Sequence, residues 1–106
     1  MEFLVDETTG SKRLRVVERE DYAVDLEYNK EFLIIHLPYV WKFNKSVFVD
    51  MLFTLEDFSD FFKTTGFKYL YAAVDTNNLK IRRLLVKLGF KRKANQQELT
   101  VYEKEL

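Results

Sequence analysis

Asn78 to Phe90, read as N-L-K-I-R-R-L-L-V-K-L-G-F, constrains the fold more than any other stretch of this chain. Asp75, Thr76, Asn77 and Asn78 offer several helix caps, Ile81, Leu84, Leu85 and Leu88 recur on one face, and Gly89 supplies a stop. Lys80, Arg83 and Lys87 fall on the opposite, solvated side. A β-rich aromatic segment, Phe67 to Val74, precedes this helix, and Leu99-Thr100-Val101-Tyr102 reads as a strand beyond it. A helix set between strands in this way has to cross a sheet.

The same logic organises the rest. Phe48, Met51, Leu52, Leu55, Phe58 and Phe62 recur at spacings of three and four, which predicts a long helix from Lys45 to Thr64 closed by Thr65 and Gly66. Upstream, Phe3 to Val5 and Leu14 to Val17 are short apolar runs around a turn-rich Asp6 to Ser11 segment. Tyr22 to Tyr28 alternates as a half-buried strand, and Asn29-Lys30 turns it into Glu31-Phe32-Leu33-Ile34-Ile35-His36-Leu37. That last run is nearly all apolar, as expected for a central strand covered on both faces. Pro38 ends or bulges it, because proline cannot donate to a ladder. The order is β-β-β-β-α-β-α-β: one α+β domain with a mixed sheet flanked by two main helices.

Composition removes several chemistries. The 106 residues hold no cysteine and a single histidine, so disulfides, thiol catalysis, thiolate metal sites and multi-histidine zinc sites are excluded. No apolar run approaches the ~20 residues of a membrane helix, and the start resembles no signal peptide, so the expected setting is the cytoplasm. The net charge of zero gives the whole molecule no attraction for nucleic acid. Its distribution is uneven, however. Lys80, Arg82, Arg83, Lys87, Lys91, Arg92 and Lys93 form an acid-free tract, whereas Asp50, Glu56, Asp57 and Asp60 form a base-free one. Two solvated helix faces of opposite sign account for this; a basic face meeting a phosphate-bearing ligand or an acidic partner is the sharper reading.

Asn78, Ile81, Leu84, Gly89 and Phe90 stand in register with a strand-following helix of the GNAT superfamily of N-acetyltransferases, which this stretch resembles. The chain from Glu31 onward resembles that family, though the two helices that normally follow its first strand have no room here. The resemblance implies acetyl-CoA as cofactor, no metal, and Asn78 near the pantetheine arm. Short aromatic-rich chains with a His-Leu-Pro strand end resemble phage-encoded members, which would act in the host cytoplasm or the virion.

Two departures bear on the chemistry. The family cradles pyrophosphate on a glycine-rich turn whose bare amides face the anion. The matching segment, Trp41-Lys42-Phe43-Asn44-Lys45-Ser46, has no glycine, leaving Lys42, Asn44, Lys45 and Ser46 as candidate phosphate ligands. Leu85 stands where many members carry the tyrosine that protonates the departing thiolate. The candidate bases are His36 and Glu31, with a structural histidine at a strand end as the plainer reading. Tyr39, Trp41 and Phe43 alternate after Pro38, with core packing expected for Trp41 and Phe43. These losses suggest a degenerate acetyl-CoA site on a module that binds a protein partner. The alternative is an acetyl-CoA-dependent N-acetyltransferase with an atypical pyrophosphate loop. A self-associating protein, acidic face on basic face, is a third possibility.

Overall fold

The computed structural model describes residues 3–6 and 11–106, with side chains from residue 12 onward. In chain order the elements are β1 (Phe3–Asp6), β2 (Ser11–Glu18), β3 (Ala23–Tyr28), β4 (Leu33–His36), α1 (Lys45–Thr64), β5 (Tyr69–Asp75), α2 (Leu79–Lys87), β6 (Lys91–Gln96) and β7 (Leu99–Glu105). They form one seven-stranded sheet in the order β1-β2-β3-β4-β5-β7-β6. The turn expected between Asp6 and Ser11 lies on residues 7–10, outside the described residues.

The α+β order read from the sequence is present with one strand inserted. β6 carries Lys91, Arg92 and Lys93 and little β-forming character, and it is held only by β7 at the sheet's edge. Cationic side chains and a shift of register between Arg92 and Ala94 blunt that edge against pairing with another chain.

β1 to β4 make an antiparallel meander, whereas β4 and β5 are parallel. β6 is parallel to β5 in turn, since both are antiparallel to β7. The crossovers through α1 and α2 therefore advance in one direction along the sheet. Right-handed connections of that kind put both helices on the same face.

The core lies under them. Val47, Met51 and Leu55 of α1 and Leu84 and Leu85 of α2 share one cluster with Val24, Leu26, Leu33, Ile35, Leu70, Ala72 and Tyr102. Each fully buried large side chain contributes ~1.5–3 kcal/mol. Both helices stop on a glycine in the left-handed region, Gly66 at φ 97° and Gly89 at φ 98°. After α2 the Gly89 and Phe90 amides donate back to the Val86 and Leu85 carbonyls.

The opposite face of the sheet carries no helix among the described residues, so β4 is covered on one face rather than two. Ile34 is only half-buried as a result. Paired charges clothe this open face. Asp25 accepts from Arg13 and Arg15, His36 meets Glu27, and Glu103 accepts from Lys93. No helix of the described residues is long and apolar enough to cross a membrane.

Candidate functional site

β4 and β5 pair only at Ile34 with Tyr71 and Ile35 with Ala72, and then they part. Their separation has a local cause. Beyond Pro38 the chain is held on the β3 side: Val40 bridges Tyr22, the Ala23 amide donates to the Tyr39 carbonyl at 3.1 Å, and the Trp41 amide donates to the Asp21 carbonyl at 2.7 Å. β5 meanwhile runs straight on to Asp75. The gap is a cleft of about 520 Å³ between residues 37–43 and α2.

One wall is aromatic. Tyr39 and Trp41 stack with ring centroids 5.4 Å apart and planes 13° apart. Trp41 is 77% exposed and Phe43 48%, which corrects the expectation that both pack in the core. The other wall is basic, with Lys80, Arg83 and Lys87 on successive turns of α2 and Asn78 at its start. Arg82 turns inward instead, donating to the Tyr102 hydroxyl and the Thr76 carbonyl at 3.1 Å each. Lys80, Arg83 and Lys87 have no charged partner among the described residues, and the cleft lining contains no carboxylate. Cations facing an acid-free cleft give it a positive potential, and the stacked rings beside them present a flat surface.

Of the residues expected to hold a cofactor, Asn78 lines the cleft. Its Oδ1 also accepts from the Ile81 amide at 3.3 Å, so Asn78 both caps α2 and faces the opening. Lys42, Asn44, Lys45 and Ser46 are exposed on the turn into α1, outside the lining. Asn44 Oδ1 accepts from the Val47 amide at 2.9 Å, so an amide that a glycine turn would offer to an anion is occupied here. Leu85 is fully buried against the sheet, away from the cleft lining.

The two candidate bases separate. Glu31 is not on β4, which starts at Leu33; it is exposed in the preceding turn, where its amide donates to Asn29 Oδ1 at 2.7 Å. The run was almost all apolar, but the Asn29 side chain draws the first residues into a tight turn. Glu31 lies in that turn and His36 at the far end of β4, three strand steps of ~3.3 Å beyond Leu33, so the two share no centre. His36 ends β4 just before the opening, on the open face. Its Nε2 lies 2.8 Å from Glu27 Oε1. A carboxylate only accepts, so Nε2 carries the proton, and Nδ1 is the basic atom of the neutral ring. Glu27 went unrecognised in the sequence, although the register that sets Asp25 opposite His36 makes Glu27 its diagonal neighbour.

Tyr22 ties this region together. It is 1% exposed and donates to the Asp50 carboxylate of α1, while its backbone bridges Val40. Burial, reinforced by the bond to Asp50, pushes the phenol up to about 12. The same bond holds Asp50 below the usual carboxylate range.

No family model matches the sequence, and no curated protein does. Solved structures do. A domain from Methanocaldococcus jannaschii matches with a TM-score of 0.62 and 20% identity over 91% of this chain, which spans 66% of that domain's length. A candidate acetyltransferase from Sphaerobacter thermophilus matches with a TM-score of 0.53 and 12% identity, over 91% of this chain and 70% of that one. At such identities the likeness is one of fold. The chain has a mixed α+β fold that resembles the fold of an acetyltransferase. Neither description concerns a phage.

Proposed function

We propose that the cleft between residues 37–43 and α2 binds acetyl-CoA, and that the chain is an N-acetyltransferase with an atypical phosphate site. The observation that carries this reading is the acid-free cleft at the parting of β4 and β5, with Lys80, Arg83 and Lys87 along one wall without a charged partner among the described residues. The cations of α2 take over the phosphates that a glycine turn would otherwise hold. Tyr39 and Trp41 offer a flat surface for the adenine, and Asn78 offers an amide to the pantetheine arm. Acetyl-CoA supplies an activated acyl group. His36 Nδ1, with the ring steered by Glu27, accepts the proton of an amine approaching from the open face. Leu85 has no proton to give, so a thiolate leaving from bound acetyl-CoA would have to be protonated by solvent.

A second reading, a degenerate module that binds a protein partner, is favoured by the missing glycines, the occupied Val47 amide and the exposed Trp41 and Phe43. One titration separates them. Trp41 is the only tryptophan, so its fluorescence reports on the cleft. Acetyl-CoA and CoA are expected to quench it at micromolar concentration, with Arg83→Glu plus Lys87→Glu abolishing the response. An unchanged spectrum, together with no heat on calorimetric titration, refutes the cofactor reading and leaves the binding module.

A further inference from the structure

The outward surfaces of α1 and α2 are matched in kind and opposed in charge. On α1, Phe53 points away from the sheet at 62% exposure with Val49 beside it, among Glu56, Asp57 and Asp60. On α2, Leu79 and Val86 are 55% and 58% exposed, beside Arg83 and Lys87. None of these charges has an ionic partner among the described residues. Both helices lie on one face of the sheet, so the two surfaces look the same way. We propose that this chain pairs with a second copy of itself through this face, α1 of each copy lying on α2 of the other. Arg83 and Lys87 are shared with the cleft wall, so the test reads association itself and not CoA binding.

A two-fold axis along the groove between the helices brings both contacts together at once. The acidic helix meets the basic one twice, and the pairing closes on itself instead of growing into a filament. Like-on-like stacking is disfavoured, because it sets Asp57 against Asp57 and Arg83 against Arg83. The apolar residues supply the burial and the charges set the register. A molecule 35 × 30 × 24 Å across has a face wide enough for the ~800 Å² per partner of a specific interface.

Sedimentation velocity on the whole chain tests this without any variant. A dimer is expected in about 0.01 M salt, with dissociation in about 1 M, where the screening length falls from ~30 to ~3 Å. Glu56→Lys with Asp57→Lys and, separately, Arg83→Glu with Lys87→Glu are each expected to be monomeric. An equimolar mixture of the two is expected to dimerise, because every contact then regains opposite charge. All four positions are exposed, so circular dichroism is expected to match wild type. A wild-type monomer at millimolar protein in low salt overturns the proposal. So does a dimer indifferent to salt and to both reversals, or a mixture that stays monomeric.

Discussion

Tyr22→Phe removes the hydroxyl whose bond to Asp50 fastens α1 beneath the cleft, with Thr54 of the same helix as its lesser partner. The hydroxyl donates to Asp50, and a hydrogen bond to a charged group is worth roughly 1.5–3 kcal/mol. Asp50 is not stranded by the loss. Its side chain is 46% exposed and keeps Arg19 Nε at 3.3 Å, so no buried charge is left unpaired. The expected cost at neutral pH is therefore about 2 kcal/mol, which lowers Tm by about 10 °C for a domain of this size. The sign of the pH dependence provides a second check. The phenol is raised in the folded state, so its contribution is complete below the unfolded value near 10 and is lost as pH climbs towards about 12. Asp50 is depressed, so its contribution is complete above its ordinary value and is lost as pH falls from there through its lowered folded value. The gap between wild type and Tyr22→Phe is thus widest across the neutral range and narrows at both ends. Tyr71 and Lys93, also raised, titrate alike in both proteins. Urea melts between pH 3 and 12 measure it; a gap that is constant across pH, or below about 0.5 kcal/mol at neutrality, refutes the assignment.

Other substitutions separate support from chemistry. Asn78→Ala removes a long cap bond, so about 1 kcal/mol of stability is expected to go. Its affinity for CoA in the Trp41 titration is expected to fall as well. Gly89→Ala places a Cβ at φ 98°, at a cost of about 1–2 kcal/mol in thermal melts. The 2.8 Å approach to Lys104 Nζ adds little, since that side-chain end can swing away. Leu85→Tyr, which introduces a phenol at this position, is expected to lose about 1–3 kcal/mol by overpacking a fully buried site. It is expected to gain no acetyl transfer in a thiol-release assay, because the site does not face the cleft.

What the sequence made legible follows from where the physics is local. The bounds of α1 fall at Lys45 and Thr64 because apolar spacing, the Asn44 cap and the Gly66 stop all act within a few residues. β6 escaped notice because an edge strand held by one neighbour needs little β propensity. Its hairpin turns through Gln97 at φ 57° without glycine or asparagine. Trp41 and Phe43 looked like core because size and apolarity do not encode which side of a bulge a ring takes. That choice is made by Tyr22 and Asp21, twenty residues upstream, pulling residues 39–41 toward β3. The basic stripe was visible as a helix face, but not as a cleft wall, since the opposing wall comes from the loop after β4.

The glycine-free turn offers a way to ask whether the phosphates of the proposed cofactor would lie within reach of α1 as well as α2. Asn44 is extended at φ −135° and ψ 178°, so glycine fits there without strain. As a cap glycine is only a few tenths of a kcal/mol worse than asparagine, so Asn44→Gly is expected to fold normally. The substitution frees the Val47 amide at the positive end of a 20-residue helix, next to exposed Lys42 and Lys45. If phosphates held by α2 lie within reach of that turn, one new charge-assisted bond is worth about 1.5 kcal/mol, a roughly tenfold gain in CoA affinity. Adenosine, which lacks the pyrophosphate, is expected to gain nothing, and this comparison separates a new anion contact from a general loosening of the loop. An affinity unchanged by the substitution, in a protein that binds CoA and loses it on Arg83→Glu, means that the α2 stripe holds the phosphates beyond the reach of α1. The cofactor then enters this fold along α2, and the turn into α1 serves only to start the helix.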